Sequence, residues 1–156
     1  EKLIADIRRA GARIQLISDG DVSPILSAAI EGTGVHMLVG IGGAPEGVIG
    51  AAAIKCLGGD MQGRLVPQCQ EEVDRMKAMG ITDPNKILTL DDLVPGNDVF
   101  FCTTAVTQSD LLNGVRYFGG GARTHSLVMR SKTGTIRFVD AIHTFDKKKI
   151  PVIRRS

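Results

Sequence analysis

Leu3, Ile4, Ile7 and Ala10 recur at the three-and-four spacing of one helix face, so the chain opens inside an amphipathic helix that Gly11 ends. The period then changes. Ala12 to Ile17 alternates as a strand does, and Ser18, Asp19, Gly20 and Asp21 form a loop at its end. Ser23 followed by Pro24 predicts an N-cap with proline at the first helical position, opening a helix to about Ile30 that Gly32 and Gly34 close. A second apolar run, Val35 to Val39, leads into Gly40-Ile41-Gly42-Gly43-Ala44-Pro45-Glu46-Gly47. An alanine-rich helix follows from Val48 to Leu57, stopped by Gly58 and Gly59.

The pattern continues with a short strand within Met61 to Val66 and an amphipathic helix from Gln70 to Met79 that Gly80 ends. After a loop around Asp83 and Pro84 and a short segment from Lys86 to Leu93 comes the apolar strand Asp98 to Val106. Thr124 to Arg130 and Thr135 to Ile142 alternate on either side of Ser131-Lys132-Thr133-Gly134 and read as a β-hairpin. The expected fold class is therefore α/β, a layer of alternating strands and helices with an antiparallel margin. At 156 residues, one domain is the default.

Composition narrows the function classes. A net charge of +2 is too small to imply nucleic acid, and the basic residues Lys147, Lys148, Lys149, Arg154 and Arg155 read as a solvated tail. Cys56, Cys69 and Cys102 are odd in number and lack the C-x-x-C spacing of a zinc site, which fits a reducing compartment and core packing. No apolar run approaches the roughly 20 residues of a membrane span. The expected location is the cytoplasm, with no membrane partner.

Three constellations offer chemistry. Glycines between a strand and a helix let backbone N–H groups approach an anion, and the helix directs its positive end there. No Gly-Lys-Ser/Thr follows, which excludes a Walker loop, and no acidic residue is placed to hold a ribose. Within this loop Glu46 has two readings: an acid favoured by the helix macrodipole, or a ligand for a divalent cation that bridges to a substrate phosphate. Asp19 and Asp21, flanking Gly20 at a strand end, either cap the next helix or accept hydrogen bonds from sugar hydroxyls. Arg116, Arg123, His125, Arg130 and Arg137 gather near the hairpin, where alternation favours a solvent face or subunit interface over a phosphate clamp. His125 and Ser126 are adjacent on a strand and point to opposite faces, so they do not form a catalytic pair.

Together, Ser18-Asp19-Gly20-Asp21-Val22, the loop from Gly40 to Val48 running on to Ala53, Lys55 and Gly59, and Arg123-Thr124-His125-Ser126-Leu127-Val128-Met129-Arg130-Ser131-Lys132 resemble the C-terminal half of the class II fructose-1,6-bisphosphatases. The likeness runs from the first helix to about His143. It implies a layered sugar-phosphatase fold, homo-oligomeric assembly and Mg²⁺ or Mn²⁺ as activator. It also implies that Asp19, Gly20, Asp21 and Gly43 contact the sugar bisphosphate and that Glu46 is a metal ligand. The implied reaction releases the 1-phosphate of fructose 1,6-bisphosphate, with sedoheptulose 1,7-bisphosphate as a second substrate.

The family's other metal carboxylates belong to an N-terminal half that this chain does not contain, so residues 1–156 are expected to be the C-terminal sugar-phosphate-binding domain of a larger phosphatase, inactive alone. Chemistry agrees: a two-metal site needs several carboxylates to clamp both reacting oxygens. The alternative is a non-catalytic sugar-phosphate-binding or regulatory module. One departure from the family pattern is local. Where glycines are expected, Ala105 and Ser109 stand in Thr104-Ala105-Val106-Thr107-Gln108-Ser109, which predicts strain if those positions need positive φ.

Overall fold

The computed structural model describes residues 1–17, 20–83 and 85–147. Ser18, Asp19 and the basic tail beyond Lys147 lie outside them, as does Pro84. The first helix, α1 (Lys2–Arg9), ends where Gly11 takes a φ of +82°, as the spacing predicts. The helix α2 (Val22–Ala29) starts earlier than expected: Asp21, not Ser23, holds the N-cap position, with Ile25 N–H bonded to Asp21 O at 3.2 Å. Proline is tolerated one turn inside because the first N–H groups of a helix have no internal partner to lose. The helix α3 (Ala44–Leu57) likewise starts inside the glycine loop, with Gly43 as N-cap, Pro45 in the first turn and Gly58 as a left-handed C-cap. Both helices thus reach further toward the loops than the apolar pattern indicates.

The two runs expected to be strands at 12–17 and 35–39 are not strands in the described residues. Alternation gives a segment the capacity for a ladder, but a ladder needs a neighbour, and neither run has one here. Their apolar side chains are exposed instead, Leu16 at 68%, Met37 at 72% and the adjoining Ile41 at 89%. The expected β/α alternation along the first half is therefore corrected to helices joined by extended chain.

A two-stranded ladder joins β1 (Gln62–Gly63) to β2 (Leu88–Thr89), flanking α4 (Gln70–Ala78) and leading into the single turn α5 (Leu90–Leu93). Thr89 and Asp92 form a reciprocal capping box on α5. The main sheet contains β3 (Phe100–Thr104), β4 (Arg116–Phe118), β5 (Gly121–Arg130) and β6 (Thr135–Thr144). At its centre, β5 pairs β6 along one edge, while β3 and β4 share its other edge. The hairpin falls as the sequence predicts, with its turn at 131–134 and Gly134 at a φ of +57°. The short strand β4 escapes the sequence pattern because only three residues pair. Every pairing among the described residues is antiparallel, so the architecture is a mixture of helices with antiparallel sheet.

The core lies between the sheet face carrying Phe101, Leu127 and Met129 and the helices α2 and α3, which supply Leu26, Ala53 and Cys56. Burial of such side chains is worth roughly 1.5–3 kcal/mol each for the large ones. Small residues set the helix spacing. Gly50 of α3 receives the Cδ1 end of Ile25 from α2, in space a β-carbon would occupy. Lys55 ties the same helix to α5, its Nζ donating to Asp91 Oδ1 at 2.7 Å and to the Val94 carbonyl at 2.7 Å.

Candidate functional site

Close approach of α2 and α3 brings their N-terminal ends to one place. Asp21 occupies the N-cap of α2 yet makes no side-chain capping hydrogen bond. Its carboxylate lies instead against the glycine loop, where a β-carbon on Gly42 would stand 2.8 Å from Asp21 Oδ2. Glu46, in the first turn of α3, folds its carboxylate back over Gly43, again into space that a β-carbon would need. Gly43 itself has φ −68° and ψ 146°, accessible to any residue, so spatial crowding by a carboxylate, not backbone freedom, favours glycine there. Two acidic groups and two glycines are thereby held at the start of two helices.

The expected site residues are thus partly assembled. Asp21 lies against Gly42 and Glu46 over the neighbouring Gly43; Gly20 adjoins Asp21 with a φ of +86°; Asp19 lies outside the described residues. Both carboxyl-bearing residues are exposed, leaving their oxygens open to a ligand. Hard oxygens of this kind suit Mg²⁺ or Mn²⁺, so Glu46 fits the role of one ligand. Among the described residues no group of three or more His, Cys, Asp or Glu could hold a metal ion. A complete coordination shell therefore needs donors beyond this set.

Sequence reasoning did not anticipate a small cavity between the start of α2 and the end of β3 with the segment that follows it. It measures about 180 Å³ and is mainly apolar, with Leu26, Ala105, Val106 and Leu112 in its lining beside the hydroxyl residues Ser23 of α2, Thr103 of β3 and Thr107 and Ser109 beyond that strand. The strain considered for Ala105 and Ser109 is absent, since no described non-glycine residue has positive φ. Ser109 instead closes a local turn, its Oγ donating to Leu112 O at 3.2 Å and accepting from Leu112 N–H at 3.0 Å. His125 and Ser126 do point apart: Ser126 Oγ meets Thr104 Oγ1 at 2.8 Å, whereas His125 Nδ1 accepts from Asn113 N–H at 3.1 Å.

Of the cysteines, only Cys56 is buried, and burial pushes its thiol pKa up against the lowering effect of backbone hydrogen bonds; Cys69 and Cys102 are exposed. No helix among the described residues is long and apolar enough to cross a membrane.

These features define a protein of helices and antiparallel sheet with acidic groups gathered at a glycine loop between helix starts. Residues 1–143 match the family described as bacterial fructose-1,6-bisphosphatase, glpX-encoded, and the chain belongs to that family. Among curated relatives, it is 50% identical to the D-fructose 1,6-bisphosphatase class 2/sedoheptulose 1,7-bisphosphatase of Synechococcus sp. (strain JA-3-3Ab), over 92% of this chain and 45% of the relative. It is 48% identical to the second such protein of Acaryochloris marina, over 96% of this chain and 46% of the relative. Identity to the corresponding protein of Synechococcus elongatus is 46%, over 99% of this chain and 48% of the relative. The chain spans about half the length of the curated relatives it matches.

Proposed function

We propose that the chain is the C-terminal, sugar-phosphate-binding portion of a metal-dependent phosphatase that converts fructose 1,6-bisphosphate to fructose 6-phosphate, and that also accepts sedoheptulose 1,7-bisphosphate. The observation that carries this reading is that Asp21 and Glu46 each lay a carboxylate on the glycine loop, at Gly42 and Gly43 respectively; Asp21, Gly43 and Glu46 are among the residues at which the family resemblance expects substrate and metal. Asp19 and Asp21 accept hydrogen bonds from sugar hydroxyls, and the backbone at Gly20 and Gly43 approaches the ligand without side-chain obstruction. Glu46 contributes one carboxylate to a divalent cation, Mg²⁺ or Mn²⁺. The bound cation supplies neutralisation of the phosphate charge. The N-terminal ends of α2 and α3 add fixed positive partial charge to the same place.

The remaining donors come from an upstream half of comparable size, supported by the length of the relatives, and the whole assembles as a homo-oligomer in the cytoplasm. Phosphate monoester hydrolysis requires accelerations up to about 10²¹, which two carboxylates and helix dipoles do not supply. The test is phosphate release from fructose 1,6-bisphosphate with Mn²⁺, comparing the chain alone, the chain with the upstream half of a relative, and that mixture carrying Glu46→Gln. Turnover only in the unsubstituted mixture is expected. Turnover by the chain alone overturns the split-centre reading; an inactive mixture of halves shown to associate and bind substrate favours a binding module.

A further inference from the structure

The main sheet holds a second concentration of polar chemistry that shares no residue with the glycine loop. Arg116 of β4 lies directly opposite Arg123 of β5, and His125 lies opposite Asp140 of β6. Residues 123 and 125 are two apart on one strand, so all of these side chains belong to one sheet face. With Asn113 and Gly114 they line a cavity of about 150 Å³.

Charge in this cavity is unbalanced. Two guanidinium groups facing each other across a ladder repel. Asp140 hydrogen-bonds only one of them, accepting from Arg123 through Nε to Oδ1 at 2.6 Å and through Nη2 to Oδ2. Those bonds hold the Asp140 carboxyl below the usual range, with a smaller contribution from the Arg116 charge. The Arg116 guanidinium makes no hydrogen bond or close ion pair among the described residues. His125 adds a donor: because Nδ1 accepts from the Asn113 N–H at 3.1 Å, the proton of the neutral ring sits on Nε2. The cavity therefore offers a whole guanidinium, the remaining N–H groups of a second and an imidazole N–H, against one carboxylate.

We propose that this cavity binds a phosphate-class oxyanion, either inorganic phosphate or the phosphoryl end of a phosphomonoester, with Arg116 as its principal partner and His125 as a second donor. A carboxylate ligand would bring two oxygens to three donor groups, and Asp140 already fills that part. A phosphoryl group brings three or more oxygens. The volume is below the roughly 300–1,000 Å³ of pockets that enclose whole organic ligands, so one phosphoryl group is held while the rest of an ester projects into solvent. Asp140 competes with the guest for Arg123, which makes the site weak by construction and gives the proposal its distinctive test.

Inorganic phosphate is titrated into the whole chain without divalent metal, and the ring signals of His125 are followed by NMR after assignment by their loss in His125→Gln. Reading at His125 separates this site from any phosphate at the glycine loop, and no turnover is needed, so the outcome is independent of the proposed activity. A saturable shift is expected, weakened about tenfold by Arg116→Gln and tightened several-fold by Asp140→Asn, with circular dichroism confirming both folds. Fructose 6-phosphate binding more tightly than inorganic phosphate at His125 identifies an ester as the guest; equal affinity identifies free phosphate. No saturable shift by about 10 mM phosphate, where millimolar sites are already filled, overturns the proposal. So does wild-type affinity in Arg116→Gln.

Discussion

Ile25 of α2 reaches into α3 at Gly50, its Cδ1 filling the space where any other residue would place a β-carbon. This contact fixes how near the two helices lie, and so how near Asp21 comes to the glycine loop. Gly50→Ala is expected to destabilise the chain by about 1–2 kcal/mol, overpacking outweighing the roughly 1 kcal/mol that alanine gains over glycine in a helix. Ile25→Val removes the intruding methyl, so the double variant should recover most of that loss. Urea denaturation of the four proteins in a mutant cycle checks it.

Core truncation should cost more. Leu127 and Met129 are fully buried on the central strand β5. Leu127→Ala is expected to lower stability by about 2–5 kcal/mol, measured as a fall in denaturation midpoint with unchanged slope.

Gly43→Ala tests the site without removing a charge. The added methyl meets the mobile end of Glu46, which can swing away, so stability should change by no more than about 0.5 kcal/mol. Displacing that carboxylate should nevertheless weaken Mn²⁺ binding by the assembled enzyme about 10-fold or more. Calorimetric titration beside a thermal melt separates the effects. Unchanged Mn²⁺ affinity in both Gly43→Ala and Glu46→Gln would remove Glu46 from the metal site.

Acid should loosen the turn at α5. Asp92 is held at about 2, from an ordinary 3.8, chiefly by its hydrogen bond from Lys86 and then by those from Thr89. A carboxyl whose folded value is depressed stabilises the fold fully above its unfolded value and loses that contribution as pH falls toward the folded one. Asp98 and Asp140 shift in the same direction, each through an arginine. Protection of the 89–93 amides is therefore expected to hold down to about pH 4 and to decline toward about pH 2, with a shallower decline in Asp92→Asn. Hydrogen exchange across that range reads it directly.

Thiol chemistry should divide the cysteines. Cys69 and Cys102 are exposed, whereas Cys56 is buried with its thiol at 3.4 Å from the Val99 carbonyl and its pKa raised. Alkylation near neutral pH should label the first two and leave Cys56 unmodified until denaturant is added, as peptide mass spectrometry would show.

The sequence pattern located α1, α4 and the β5–β6 hairpin because each is specified locally, by a periodic face and a glycine stop or a turn. It misplaced the starts of α2 and α3 because Asp21 and Ser23 are both good cap types, and because prolines in a first turn mark its vicinity rather than its first residue. The expected strands at 12–17 and 35–39 show a different limit: side-chain alternation is written in a segment, but its hydrogen-bond partner is not. At the candidate site, Asp21 and Glu46 were visible as acids beside glycines. Glu46 rests over Gly43 within one helix turn, but that Asp21 rests against Gly42 depends on the Ile25–Gly50 packing of α2 on α3, which no linear spacing encodes.

The extended main chain at 12–17 and 35–39, which joins no ladder, also governs how this polypeptide behaves in a test tube. Unpaired peptide groups beside Leu16, Ile17, Met37 and Val39, all exposed, are a template for strand exchange between copies. Kept by itself at high concentration, the chain should turn cloudy, bind ANS and be captured by holdase chaperones, even though its core is well packed. Colloidal fragility and a sound interior thus coexist in one molecule, and light scattering at rising concentration will reveal the first long before a melting curve reports any defect in the second.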